Sequence, residues 1–371
     1  MYFLLCSHNG QLEGAPFHLL RLAEFLNARE HTCFFATPEK GKLAPIAKKK
    51  NVEYIVEPSL FSRDDPVRSC KRALLRSTPE VIIINTIFGD QLVKHFKAIA
   101  PEIPIIWIIL ESERQHYSET LPQYSEEAFG LADRVVFVSD ATRDVYNDLD
   151  RGNFATIHDG LDLSDIDAYL STISRQKLKE KYHLPIDTPI ITMIGTTCPR
   201  KGQREFVEAA LSLLQKEPKA HFLLVGKTWP GQWKYMRDIR NRIQDAGARE
   251  HFSIFPETKE IYDFFALSDI FVSNSYIEAF PIVILEAMAF SLPIIAAECY
   301  GVVEQVSHEH NGLLILPGNT TQLRDAMLRY LENPEYANTL GTASRKRIEE
   351  EFTDSHVSDA YLNVCETMLH H

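Results

Sequence analysis

The 371-residue chain lacks the marks of several protein classes. Its six cysteines, Cys6, Cys33, Cys70, Cys198, Cys299 and Cys365, include no pair at C-x-x-C spacing. That excludes a zinc ribbon and a dithiol redox motif. Most of the six sit in or beside apolar runs, where a thiol behaves as a small hydrophobe, so a reducing, cytoplasmic setting is expected. No basic region precedes the short apolar start MYFLLC, so no signal peptide is expected. The longest apolar run, IPIIWIIL, falls far short of the roughly 20 residues that span a bilayer. There is no Walker A loop and no G-x-G-x-x-G fingerprint. The net charge of -12 leaves no general excess of Lys and Arg for nucleic acid, so none is expected as a partner. Neither a fixed-period repeat nor a low-complexity segment is found.

What is present is ordinary globular composition, 45% hydrophobic and 24% charged. At about one domain per 150 residues, two or three domains are expected. The charge is uneven: +4 over residues 1–100, -11 over 101–170 and -5 over 171–371. The first hundred residues could face an anionic partner, although a solvated helix face is the plainer reading.

Short apolar runs alternate with longer amphipathic ones. YFLLC, TCFFAT, EVIIINT, IPIIWIIL and RVVFVSD read as strands, with FHLLRLAEFLNAR, QLVKHFKAIA and ATRDVYNDL as helices between them. Strands apolar on both faces belong to parallel sheets covered by helices on each side. The alternation pauses over residues 159–188, a polar stretch with Asp-Gly turn chemistry and one helical segment, which reads as a hinge. It resumes with PIITMIG, HFLLVG, HFSIFP, DIFVSNS and PIIAA. The expected fold class is therefore α/β, two Rossmann-like domains facing across a cleft. The boundaries are 1–165 and 166–352, with a last helix over 353–371 that could cross back to the first domain.

Three segments carry chemistry. SYIEAFPIVILEAMAF places Glu278 in a loop and Glu286 about one and a half turns into a helix that Pro281 begins. Phe280 is a poor N-cap, which leaves the amides around Ile282 and Val283 for an anion or a sugar hydroxyl. MIGTTCPRKGQREF ends a strand at Gly195, passes Thr196, and sets Arg200 and Lys201 before a helix, where two cations suit a diphosphate. SHNGQLEGAPF follows the first strand, and Gly14 permits close backbone approach.

From Ser275 onward the sequence resembles the signature of glycosyltransferase family 4, the retaining, nucleotide-sugar-dependent enzymes of GT-B fold. The matching residues are Glu278, Glu286, Ala287, Met288, Ala289, Pro293, Gly301 and Glu304. HDGLD, RKG and HNGLLILPGN also stand where the family has similar segments. The resemblance is strong after residue 130 and loose before it.

The resemblance implies roles. Glu278 would contact donor-sugar hydroxyls and Glu286 the ribose. Lys201, with Arg200, would hold the diphosphate; these two and Glu278 are the catalytic candidates. The amides after Phe280, at Ile282 and Val283, would bind sugar or phosphate, with Gly195, Thr196 and Gly14 also near the donor. It implies a UDP- or GDP-sugar donor, no cofactor, no metal, and a glycan, lipid-linked or small-molecule acceptor in the first domain. Three departures stand out. Thr196 occupies a position where the family often has Arg; Leu110 and Glu111 stand where it often has His, with His116 further on; and Glu13–Gly14 replaces Gly-Gly.

Five lysines between residues 38 and 54 admit a peripheral contact at the inner face of a membrane. Trp229 and Trp233 could stack on a ring or cap the core. Two other functions fit the same fold: a nucleotide-sugar epimerase, and a non-catalytic subunit that partners an active enzyme.

Overall fold

The computed structural model describes residues 1–62, 66–217 and 219–369. The chain forms two compact units, Met1–Asp159 with Asp354–His371, and Gly160–Thr353. Both are α/β, as the alternation of runs requires.

The first unit holds seven strands: β1 (Tyr2–Cys6), β2 (Thr32–Thr37), β3 (Glu53–Val56), β4 (Val81–Asn85), β5 (Ile105–Ile109), β6 (Arg134–Phe137) and β7 (Phe154–Thr156). Every pair is parallel, in the order β3-β2-β1-β4-β5-β6-β7. The central strands VIIIN and IIWII are buried at every position, because helices cover both faces. Register sets Ile83 beside Leu5 on one side and Ile106 on the other. Helix Gly14–Ala28 packs on β2 and on the last helix, Asp354–Leu369, which buries Val357, Tyr361 and Cys365.

The second unit holds six strands: β8 (Ile190–Ile194), β9 (His221–Val225), β10 (Phe252–Phe255), β11 (Ile270–Ser273), β12 (Ile294–Ala297) and β13 (Leu313–Ile315). They are again parallel, in the order β10-β9-β8-β11-β12-β13. Its core joins Met193, Phe206, Phe222 and Ile239 with Met327 and Tyr330.

Three local expectations change. The stretch 159–188 holds two helices, Ser164–Thr172 and Arg175–Lys181, because Ile173 and Ser174 are extended and break the run. ATRDVYNDL divides into a short helix, Asp140–Asp144, and a 3-10 turn, Asn147–Leu149. Pro281 is the residue before its helix rather than the first within it: at φ -72° and ψ 120° its backbone is extended, and the helix runs Ile282–Ala289.

In each sheet the strand order reverses once, between β1 and β4 in the first unit and between β8 and β11 in the second. At such a reversal the loops beyond the carboxyl ends part to opposite sides and leave a crevice, the usual ligand position of open α/β sheets.

Candidate functional site

In the second unit the reversal point is bordered by the loops after β8, β11 and β12. The β8 loop runs from Gly195 through Thr196 to a 3-10 turn, Pro199–Lys201, and Gly202 then starts helix Gln203–Leu214. Gly202 has φ 72°, and a Cβ there would lie 2.1 Å from the Asn274 carbonyl oxygen. Only glycine fits both the conformation and the space. Asn274, buried at the end of β11, donates through Nδ2 to the Gly202 carbonyl at 2.9 Å. Gln203 braces the same loop, donating to the Thr196 carbonyl at 3.0 Å. The β8 loop is thus held against the end of β11 through Gly202 and Asn274, and closed on its own helix by Gln203.

This bracing brings Arg200 and Lys201 to Glu278. Lys201 Nζ bonds Glu278 Oε1, and Arg200 Nη1 lies 3.7 Å from Oε2. Arg200 Nη1 also donates to the Ile277 carbonyl at 2.6 Å, while the Tyr276 amide donates to the Arg200 carbonyl at 2.8 Å. From the β12 side, the Gly301 amide donates to the Glu278 carbonyl at 3.2 Å. Burial alone would push the Glu278 carboxyl up. The charges of Lys201 and Arg200, with hydrogen bonds from Lys201 and Ser275, outweigh it and hold the group below its ordinary range. The three expected catalytic residues therefore form one salt-bridged cluster beyond the carboxyl ends of the central strands β8 and β11.

Helix Ile282–Ala289 starts without a side-chain cap. Its N-terminal amides at Ile282 and Val283, both half-buried, sit at the positive end of the helix dipole. Glu286 is half-buried on the next turn. Phe280 has its ring buried edge-on against Phe352, 5.5 Å between centroids, so only its backbone is placed to meet a ligand. Trp229 and Trp233 do not cap the core: they are 41% and 64% exposed, and Lys227 Nζ lies 3.3 Å over the Trp229 ring.

In the first unit, Gly14 opens helix Gly14–Ala28, and a Cβ there would meet nothing within 4 Å. In the same loop the crowded glycine is Gly10, where a Cβ would lie 2.2 Å from the Tyr54 hydroxyl. Glu111 follows β5, and its Oε2 accepts from the amides of Ile87 and Leu110, each at 3.0 Å. His116 lies on a separate short helix, Arg114–Thr120, against Tyr117.

Two Asp-x-Asp triplets occur, Asp148–Asp150 and Asp165–Asp167. Asp148 is engaged by Arg114 and Asp167 by Arg345. Among the described residues, no group of three or more His, Cys, Asp or Glu side chains could hold a metal ion. Among them, too, no helix is long and apolar enough to cross a membrane.

Gly202 closes the RKG segment, but Asn274 and Gln203 had no role assigned from sequence. Their roles come from one buried and one part-buried hydrogen bond, which leave no spacing signature.

Comparison with known proteins bears on this geometry. Residues 174–347 match the model of the family described as glycosyl transferases group 1, and residues 12–165 match that of Glycosyltransferase Family 4. A GDP-mannose-dependent alpha-(1-6)-phosphatidylinositol monomannoside mannosyltransferase of Mycobacterium tuberculosis is 28% identical over 182 residues, 47% of this chain and 46% of that protein. The alpha-D-kanosaminyltransferase of Streptomyces kanamyceticus is 29% identical over 163 residues, 43% of this chain and 41% of that protein. The chain spans about half the length of these curated relatives. Among solved structures, Anabaena HepE in complex with UDP and glucose superposes with a TM-score of 0.85 at 19% identity, covering 99% of both chains. Sucrose-phosphate synthase from Thermosynechococcus elongatus superposes with a TM-score of 0.78 at 20% identity, covering 99% of this chain and 98% of that one.

Proposed function

We propose that this chain is a glycosyltransferase of family 4, which moves a sugar from a nucleotide diphosphate sugar to an acceptor hydroxyl with retention at the anomeric carbon. The observation that carries this reading is the cluster of Glu278, Lys201 and Arg200 at the reversal point of the second sheet, beside an uncapped helix start.

Cleaving a glycosyl–phosphate bond builds negative charge on the departing diphosphate and positive character on the sugar carbon. Lys201 and Arg200 neutralise the first, with the amides of Ile282 and Val283 adding dipoles that are already oriented. Glu278, ionised by its two cations, steadies the sugar and its hydroxyls. An incoming diphosphate competes with Glu278 for Lys201, so binding exchanges one ion pair for another and leaves the carboxylate beside the sugar. Glu286 takes the ribose hydroxyls, Gly195 and Thr196 border the phosphates, and Gly14 leaves room for a ligand. Two cations and a helix dipole supply the charge that a metal would, so the reading requires none.

The donor is a UDP- or GDP-sugar. The Anabaena structure holding UDP and the GDP-mannose dependence of the mycobacterial relative support that range. The acceptor is a glycan, lipid-linked or small-molecule hydroxyl. A peripheral membrane contact through residues 38–54 belongs to the same proposal. It is supported by an open groove bearing Lys40, Pro45, Lys48, Tyr54 and Arg76, and by Leu75, 80% exposed on the helix of Arg76.

The experiment is a panel of sugar nucleotides incubated with the full chain, scored for free nucleotide released by slow hydrolysis. Release from one donor names base and sugar together. No release from any donor, with no thermal shift by any nucleoside diphosphate, contradicts the proposal.

A further inference from the structure

The second unit has an open edge that the donor chemistry leaves unused. β10 (FSIF) ends the sheet, two strands away from β8, and pairs only with β9. All four of its residues are half-buried, whereas β9 (HFLLV) is buried at every position. The Phe255 carbonyl turns inward and accepts from the Gly226 amide at 3.1 Å. In a parallel ladder a residue's N–H and C=O point to the same side, and successive residues alternate. The N–H and C=O groups of Phe252 and Ile254 therefore point outward. None of them has a hydrogen-bond partner among the described residues.

Helix Trp233–Asp245 and the 3-10 turn Arg249–His251 flank this edge. Beside the strand they leave a cleft of about 400 Å³. Ile243 is buried and Phe252 and Ile254 are half-buried along it, while Arg237, Arg240 and Arg249 are exposed at its rim. The arginines of this unit separate sharply. Of the eleven within Gly160–Thr353, eight form an ion pair with a carboxylate. The three that form none, among the described residues, are Arg237, Arg240 and Arg249, and all three line this one cleft. Asp238, next to Arg237 on the helix, is already held by Arg204 and Arg242 at 3.1 Å each.

Edge strands often carry a charge of their own that keeps other chains away. FSIF carries none; the charge stands on a helix and a turn, around a concavity, and is uncompensated. Pairing of β10 with its own copy would set like charges side by side, which is unfavourable.

We propose that the β10 edge takes an extended acidic segment of a partner protein as a seventh strand of this sheet. Main-chain bonds to Phe252 and Ile254 hold the segment, and its alternate side chains give specificity. Side chains that fall beside Phe252 and Ile254 enter the cleft. Carboxylates at every second position of the segment then meet Arg237, Arg240 and Arg249, whose planar guanidiniums suit carboxylates. Neither Glu278 nor its two cations take part, so this edge stands or falls apart from the transferase reading.

The test is fluorescence anisotropy of a labelled heptapeptide with glutamate at every second position and valine or threonine between, titrated with the full chain. Binding is saturable. The peptide with lysine in place of glutamate does not bind, and the one with glutamine binds at least tenfold more weakly. N-methylation of the amides between the glutamates also weakens binding at least tenfold, as a strand requires. Arg237→Ala with Arg240→Ala weakens it at least tenfold, and Arg237→Lys with Arg240→Lys restores part of the loss. These are exposed side chains, so the fold is kept, and the thermal shift given by nucleoside diphosphates stays unchanged. The proposal is overturned by the absence of saturable binding or by native affinity in the double alanine variant. It is also overturned if the N-methylated peptide binds equally well or tripolyphosphate displaces the peptide at equal concentration, since the cleft would then hold any anion. Sedimentation of the chain alone as a dimer that the peptide dissociates would give the edge to a second copy and overturn it too.

Discussion

Gly202 answers two demands at one position, a left-handed backbone and a neighbouring carbonyl that leaves no room for Cβ. Because the obstructing atom is backbone, it cannot swing aside. Gly202→Ala is expected to cost about 1–3 kcal/mol in urea unfolding and to loosen Lys201 from Glu278; an unchanged midpoint would contradict the assignment. Glu111 makes a pH prediction. Its folded carboxyl titrates near 7 against 4.5 for an ordinary glutamate, so the native state holds a proton that the unfolded chain has released. Its contribution is therefore full below about pH 4.5 and lost as pH rises through 7, on the order of 3 kcal/mol. Glu111→Gln should flatten that segment of the stability curve between pH 5 and 7.5, measured by thermal melts; an unaltered slope would count against the burial of the charge. At this scale the sequence was legible where chemistry repeats a spacing. Glu278, Glu286 and the Arg200–Lys201 pair stand out by motif, but Lys201 pairing with a carboxylate 77 residues away does not. Thr86, at φ 72°, was invisible, because nothing in NTIFG announces a positive φ.

Among the elements, the central strands were readable because both faces are apolar, as in VIIIN and IITMI. β3, β7 and β13 were not. They are edge strands of three or four residues, paired on one side: β3 (EYIV) and β7 (FAT) are partly exposed and mixed in polarity, and β13 (LLI) is apolar but only three residues long. The helix after Pro281 was placed within one residue, and its missing cap follows from Phe280 and Pro281 having no acceptor side chain. The last helix carries a prediction at this scale. Val357, Tyr361 and Cys365 bury against the first unit, where helix Gly14–Ala28 lies. A chain ending at Thr353 should lose several kcal/mol from the first unit, by analogy with large-to-small core changes of about 2–5 kcal/mol each. Calorimetry should show the transition of the first unit falling while that of the second, built from Gly160–Thr353, keeps its midpoint. Equal loss in both transitions would contradict the division.

For the whole molecule, the fold class was open to reading because alternation of element types is a long-range pattern, repeated ten times in apolar runs. In the second sheet the Glu278–Lys201–Arg200 cluster lies at a strand-order reversal, which no local window of sequence contains. Arg200 and Lys201 both face one carboxylate, Glu278. That arrangement sharpens the central claim. If the cations serve the diphosphate and Glu278 serves the sugar, removing Glu278 frees the cations and removing Glu286 removes a ribose contact. The deciding measurement is titration calorimetry of the nucleoside diphosphate from the active donor, with Glu278→Ala and Glu286→Ala beside the native chain, and turnover measured in parallel. Glu286→Ala should weaken binding about tenfold or more. Glu278→Ala should bind as tightly as the native chain or tighter, with turnover falling by roughly 100-fold or more. Weaker nucleotide binding in Glu278→Ala with unchanged binding in Glu286→Ala would contradict the account.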